Sequence, residues 1–255
     1  LYERRSAIAF IKNTHKMGKI NPKGQLSGSI GRFVFVNIGD MTVVRGKPSR
    51  IKQTAAKEKS ANCFGNISHL DKLYRKSLLR HVPITTDKTY AYRHRTYFNR
   101  MAVRNTDPMK TDTTVRWDLP KMMVGFEFNK NAEWQSICHF FPEFDLDTTQ
   151  RLSISLPELS LKRDFRPVAK SDRINLTLYV IAVDMNTLSY PSVQVFAEFT
   201  MEVSSHISPP ATIWTTESLP PDQMIFVIGI CKMNFTKPDK DNKSHTAASC
   251  YLWSK

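Results

Sequence analysis

Residues 173–184 read Arg-Ile-Asn-Leu-Thr-Leu-Tyr-Val-Ile-Ala-Val-Asp, and residues 224–230 read Met-Ile-Phe-Val-Ile-Gly-Ile. Both runs are dominated by β-branched and aromatic side chains. The stretch 175–183 is so continuously apolar that both faces of an extended chain would need cover, which is the signature of a central strand rather than a half-solvated one. Around these two runs, the chain beyond Asp107-Pro108 breaks into short segments separated by Pro, Asn, Asp and Ser clusters. The strand candidates are 121–128, 134–140, 151–156, 173–184, 192–203, 223–234 and 248–253, a spacing that predicts an antiparallel β-sandwich over residues 111–255.

Toward the N-terminus the pattern changes twice. The run Asn21-Pro-Lys-Gly-Gln-Leu-Ser-Gly-Ser-Ile-Gly31 reads as a loop, since it is rich in turn-forming residues. A hairpin follows: Arg32–Ile38 and Met41–Arg45 are strand-like, and Gly39-Asp40 is a two-residue turn. Over residues 50–80 the period shifts to three or four, with Ala56, Phe64, Ile67, Leu70, Leu73, Tyr74 and Leu78 at helical spacing. His81-Val82-Pro83 stops that helix, and Thr86-Asp87 opens a second through about Arg104. The expected organisation is an extension at 1–16 preceding an initiation point at Met17, a basic hairpin and helix-pair unit at 17–110, and the β domain. The fold class is α+β.

Charge divides the chain. Of 255 residues with a net charge of +14, residues 1–110 hold 23 Lys/Arg against 6 Asp/Glu, whereas residues 111–255 hold 14 against 17. A cationic half beside a nearly neutral one implies two surfaces, the first attracted to an anionic partner. Its candidate contacts are Arg32, Arg45, Lys47, Arg50, Lys52, Lys57 and Lys59. Apolar runs such as 224–231 fall far short of the roughly 20 residues that cross a bilayer, and no export signal is read, so a cytoplasmic protein is expected. Cys63, Cys138, Cys231 and Cys250 include no CxxC pair. A cross-strand Cys231–Cys250 disulfide is conceivable, but reduced, buried thiols are the better reading.

No GxxxxGK[ST], GxGxxG, HExxH or GxSxG motif occurs, which removes the commonest nucleotide, zinc-protease and serine-hydrolase readings. Gly28-Ser-Ile-Gly31 has the spacing of a GxxG clamp but precedes a strand pattern instead of a helix, and reads as a turn. Glu143, Asp145 and Asp147 alternate with Phe144 and Leu146, so the three acids share one side of an extended chain. They are read as an outward-facing rim, since the glycine and bidentate acid of a calcium loop are missing. The seven histidines, His94 among them, show no metal-ligand spacing and read as structural or surface residues. In 88–104 aromatics and arginines interleave, which suits stacking on bases. Tyr90, Tyr97, Phe98 and Met101 nevertheless fall largely on one stripe, so packing against the first helix is preferred, with Arg93, Arg100 and Arg104 on the wet side.

Taken together, Gly18-Lys-Ile20, Gly24, Ser27-Gly-Ser-Ile-Gly31, Val43-Val-Arg-Gly-Lys-Pro48, an Asn near the end of the second helix (Asn99 or Asn105), Phe226-Val-Ile-Gly-Ile230, the polar turn at 237–243 and Ser249-Cys-Tyr-Leu252 resemble an uncharacterised bacterial family of Bacteroidetes type, a domain of unknown function. The resemblance covers the chain from Met17 onward. It departs at Phe33, Phe35 and Asn37, where the family usually has Gly and Trp, and at Trp253 in place of a terminal Gly. It implies an architecture and no activity. The functional expectation is a non-enzymatic binding or assembly protein, without metal or cofactor, that contacts an acidic protein or a neighbouring subunit; nucleic acid is the alternative partner.

Overall fold

A computed structural model describes residues 18–47, 54–104, 115–166, 171–185, 191–235 and 247–255. The chain divides into two compact units, Leu1–Ala55 and Ala56–Lys255. Residues 1–16 lie outside the described residues.

The first unit is a four-stranded antiparallel sheet in sequential order: β1 (Lys19–Ile20), β2 (Leu26–Ile30), β3 (Phe33–Ile38) and β4 (Met41–Gly46). The expected hairpin is present, with Ile38 opposite Met41 and Gly39-Asp40 between them. Gly39 has φ +61, a left-handed conformation at the first turn position that a β-branched residue resists. The expected loop at 21–31 is corrected in part. Residues 21–25 do turn, with the Asn21 Oδ1 accepting from the Lys23 and Gln25 amides, but Leu26–Ile30 pairs with β3, Ser29 opposite Val34. Turn-rich composition described the side chains, while the ladder bonds to a β-branched neighbour set the backbone. Gly28-Ser-Ile-Gly31 is thus a strand running into a turn.

The second unit contains α1 (Ala55–His81), α2 (Tyr90–Met101), β5 (Val103–Arg104), β6 (Val115–Arg116), a 3₁₀ turn (Pro120–Met123), α3 (Trp134–Ile137), β7 (Glu143–Leu146), β8 (Arg151–Leu156), α4 (Leu161–Asp164), β9 (Ser171–Asp184), β10 (Ser192–Ser204), β11 (Thr212–Ser218), β12 (Met224–Phe235) and β13 (Ala247–Ser254). The α+β class holds. The two opening runs are indeed central: β9 and β12 pair with each other inside the antiparallel sheet β10-β9-β12-β13. A second sheet has the order β11-β8-β7.

Strand alternation gives the central sheet two buried faces. Leu176, Leu178, Val180 and Ala182 of β9 and Val227 and Cys231 of β12 enter one core with Leu152, Ile154 and Leu156 of β8. Tyr179, Ile181 and Val183, with Phe226, Ile228 and Ile230, enter the other with Ile67, Tyr74 and Leu78 of α1 and Tyr90 and Phe98 of α2. This second face accounts for the boundary. The helices were expected to form one unit with the hairpin over 17–110, yet their apolar stripes lie on the central sheet, so the division falls near residue 55.

Two strand expectations are corrected. Over 121–128, Pro120 opens a 3₁₀ turn and Gly125 takes φ +81, leaving only an irregular run beside β13 with a single bridge, Glu127 to Cys250. Over 134–140, Trp134 and Ile137 are buried at a helical spacing of three in α3. Edge strand β11 was not anticipated from its polar sequence. All four cysteines are buried, and Cys231 lies opposite Ala248, with Cys250 opposite Gly229. Among the described residues no helix is long and apolar enough to cross a membrane.

Candidate binding surface

The register of the N-terminal sheet decides which expected cations meet. Val34 is opposite Arg45 and Phe33 opposite Gly46, and the Lys47 amide donates to the Arg32 carbonyl at 2.6 Å. Arg32, Arg45 and Lys47 therefore gather at the end of the hairpin remote from Gly39-Asp40, and none has an acidic partner among the described residues. Lys57 and Lys59 lie in the first turns of α1, in the other unit. Arg50 and Lys52 lie outside the described residues. Within the first unit, Arg32, Arg45 and Lys47 form one cluster.

That cationic end belongs to a sheet without a core. No described residue of 18–47 is buried, and Phe33 (55% exposed), Ile38 (60%) and Met41 (68%) stand in solvent together with Ile20, Ile30, Val43 and Val44. Scattered single apolar side chains on a surface need no explanation, but this many exposed within one small sheet leave it an uncovered apolar surface.

The acids at 143–147 have the expected disposition. Phe144 and Leu146 pack partly against the core, while Glu143 and Asp145 are exposed on β7, at the edge of its sheet. Asp147 is engaged in closing the turn to β8. Its Oδ1 accepts from the Arg151 amide and from Thr149 Oγ1, both at 2.8 Å, and these bonds hold its pKa below the usual carboxylate range.

A buried polar network was not legible as a site in the sequence. Asp71 and His94 are wholly enclosed, each in the middle of its helix's apolar stripe, at Ile67-Asp71-Tyr74 and Tyr90-His94-Phe98. His94 Nδ1 lies 2.6 Å from Asp71 Oδ1, and the Arg75 Nε donates to Asp71 Oδ2 at 2.9 Å. On the far side, His94 Nε2 lies 3.4 Å from the Tyr251 hydroxyl, itself 2.7 Å from that of Tyr74. Burial lowers the His94 pKa against the opposing pull of Asp71, and desolvation raises those of Tyr74 and Tyr251. A neutral imidazole that donates from Nδ1 and accepts at Nε2 satisfies the chain. The only available signal was a polar residue at the apolar period of each helix. Acid, imidazole and hydroxyl in series resemble a proton relay. However, Tyr74 and Phe98 pack against the ring, and neither the cleft around Trp117, Met185 and Lys255 nor the one around Thr86, Asp87 and Lys130 is lined by these groups. The network ties α1, α2 and β13 together.

Arg93, expected on the wet side of α2, is turned inward: its guanidinium donates to the Glu127 carbonyl at 2.6 Å and to Phe128, and pairs with Asp87. Tyr90 and Phe98 are buried, so their rings are unavailable for stacking on bases. Beneath this corner, burial pushes the Glu127 carboxyl up to about 7; its Oε2 has no hydrogen-bond partner, and Cys250 lies beside it. Among the described residues no group of His, Cys, Asp and Glu could hold a metal ion.

Comparison of the chain with family models, with curated proteins and with solved structures finds no match.

Proposed function

We propose that this chain is a non-enzymatic binding or assembly protein, in which the C-terminal sheets form a sandwich scaffold and the basic N-terminal unit contacts an acidic protein or a neighbouring subunit. The observation that carries the reading is the coreless N-terminal sheet, where exposed Phe33, Ile38, Met41, Val43 and Val44 adjoin a cationic end made by Arg32, Arg45 and Lys47. An apolar surface with a charged rim is what a protein partner covers: the apolar centre supplies binding energy, and the rim supplies orientation and rate. The sandwich is supported by the core that β8 shares with β9 and β12. The polar cluster that most resembles catalytic machinery is sealed between helices and sheet.

The test is competitive binding of the full chain to an acidic polypeptide, poly-glutamate, and to duplex DNA, from about 50 to about 200 mM salt. The expected result is poly-glutamate binding that is lost in the triple variant Arg32→Glu, Arg45→Glu, Lys47→Glu, with DNA held only in the non-specific range of about 10⁻⁴–10⁻⁶ M. Sub-micromolar DNA affinity at the upper salt limit, lost in the same variant, would overturn the reading in favour of a nucleic-acid partner.

A further inference from the structure

Two strand edges of opposite charge have no pairing strand among the described residues. Strand β4 is the last strand of its sheet, every residue from Met41 to Gly46 is exposed, and no proline or acid interrupts it. Natural sheets blunt such an edge or pair it. Strand β7 is the last strand of the sheet β11-β8-β7, and its exposed side chains are Glu143 and Asp145. Neither carboxylate has a cationic partner among the described residues, and Phe141, just before it, is 78% exposed.

Alternation makes the two edges complementary. Arg45 and Lys47 project from one face of the β4 line and Val44 from the other; Glu143 and Asp145 project from one face of β7, with Phe144 and Leu146 on the other. A single antiparallel register places Lys47 opposite Glu143, Arg45 opposite Asp145 and Val44 opposite Leu146, so both ion pairs share a face and the apolar pair takes the reverse. Directly opposed unlike charges stabilise a strand pair and like charges destabilise it. A β7 edge brought against another β7 sets carboxylate near carboxylate, and a β4 edge overlapping another β4 in full sets Arg45 opposite Val43 and Lys47 opposite Met41, with no ion pair. The β4–β7 pairing is the one that opposes unlike charges.

We propose that β4 of one copy of this chain adds to the β7 edge of a second copy. This deepens, and rests on, the reading of the chain as an assembly protein, and it chooses the neighbouring subunit as the acidic partner. The contact is heterologous: each copy offers a β4 edge and a β7 edge, so association continues head to tail until it closes in a ring or grows as a filament.

The experiment is sedimentation velocity on the full chain at low and high salt with two charge-reversed forms, Arg45→Glu with Lys47→Glu, and Glu143→Lys with Asp145→Lys. The wild type is expected to form species larger than a monomer at low salt that dissociate as salt rises. Each double variant alone is expected to be monomeric, because its two edges then carry the same sign. An equimolar mixture of the two is expected to reassemble, since the acidic β4 of one meets the basic β7 of the other. All four positions are exposed, and unchanged thermal unfolding of the variants confirms folding. A second block, Val44→Pro, removes a ladder donor without touching charge and is expected to prevent assembly. A wild type that stays monomeric at low salt overturns the proposal, as does assembly that survives either double variant or a mixture that fails to reassemble. Poly-glutamate binding retained by a monomeric wild type leaves the broader assembly reading standing while this inference fails, so the two failures are distinguishable.

Discussion

The N-terminal sheet and the central sheet of the second unit are both four-stranded and antiparallel, and both are rich in Val, Ile and Phe, yet they treat those side chains in opposite ways. Along β9 and β12 the apolar residues are buried on both faces, whereas between residues 18 and 47 none is buried. Hydrogen-bonded ladders exist in both. What differs is cover, and burial at roughly 25 cal/mol per Å² of apolar surface provides most of the favourable free energy of folding. One sheet therefore carries a core on each face, and the other leaves its apolar side chains in solvent.

Truncation should separate them most sharply. Leu178 lies in the core between β9 and β8 with no exposed surface, so Leu178→Ala is expected to cost about 2–5 kcal/mol in chemical denaturation, from lost burial and the cavity left behind. Phe33→Ala removes a larger side chain, but one already in solvent, and should move stability by no more than about 0.5 kcal/mol. Equal losses would mean that the N-terminal sheet is covered in solution.

The next effect is set by pH. With Glu127 raised to about 7 from its ordinary 4.5 by burial, the folded protein binds a proton that the unfolded chain has released between those values. Stability is then greatest at and below about pH 4.5 for this group and falls as pH rises to about 7, by about 3 kcal/mol in all at 1.36 kcal/mol per pKa unit. Glu127→Gln should flatten that slope in urea titrations at pH 5 and pH 8 and stabilise the protein at the higher pH. A slope unchanged by the substitution would place the carboxylate in water. No comparable buried acid exists among residues 18–47, so the dependence belongs to the second unit alone.

A glycine in each sheet tests the same contrast through the backbone and through space. At Gly229, in β12, an added Cβ would meet the Trp134 ring at 2.6 Å and Leu252 at 2.7 Å. Gly229→Ala should therefore cost about 1–3 kcal/mol by overpacking. Gly39 has open space around its Cα, and its constraint is φ +61. Gly39→Val should cost about 1–2 kcal/mol, registered as lost strand signal from the hairpin and not as a shift in the main unfolding transition. If Gly39→Val lowers that transition as far as Gly229→Ala does, the two units unfold as one.

The same contrast explains what the sequence made legible. The strands 151–156, 173–184, 192–203, 223–234 and 248–253, both long helices and the Gly39-Asp40 hairpin follow from local period and turn chemistry, because each has one strong pattern. Residues 121–128 and 134–140 misled because their aromatics, Phe126, Phe128 and Trp134, serve packing across the sheet ends and not strand alternation. The placement of the helices on the second face of β9 is a long-range event, visible only as a β9 pattern too apolar for one buried side. Within the candidate surface, Arg32, Arg45 and Lys47 were readable as cations, but that they gather at one end depends on register. Asp71 and His94 were hidden because a polar residue within an apolar stripe reads as an interruption until its partner is found on the other helix.

The smallest stability change should accompany the largest change in binding. Arg32→Glu alters an exposed side chain at the β2–β3 turn, with no ion pair among the described residues to lose, so it should shift unfolding by no more than about 0.5 kcal/mol. Its charge nonetheless stands beside Arg45 and Lys47 through the Lys47 amide bond to the Arg32 carbonyl. Reversal changes the local charge by two units where three cations act together, so binding of poly-glutamate should weaken, and its salt dependence should become shallower. The equivalent reversal at Lys59, in the other unit, should leave that binding much less affected. Titrating both single variants against poly-glutamate at two salt concentrations makes the comparison. If Lys59→Glu weakens binding as much as Arg32→Glu does, general basicity governs the interaction; if only Arg32→Glu does so, the cationic end of the uncovered sheet is where the acidic partner docks.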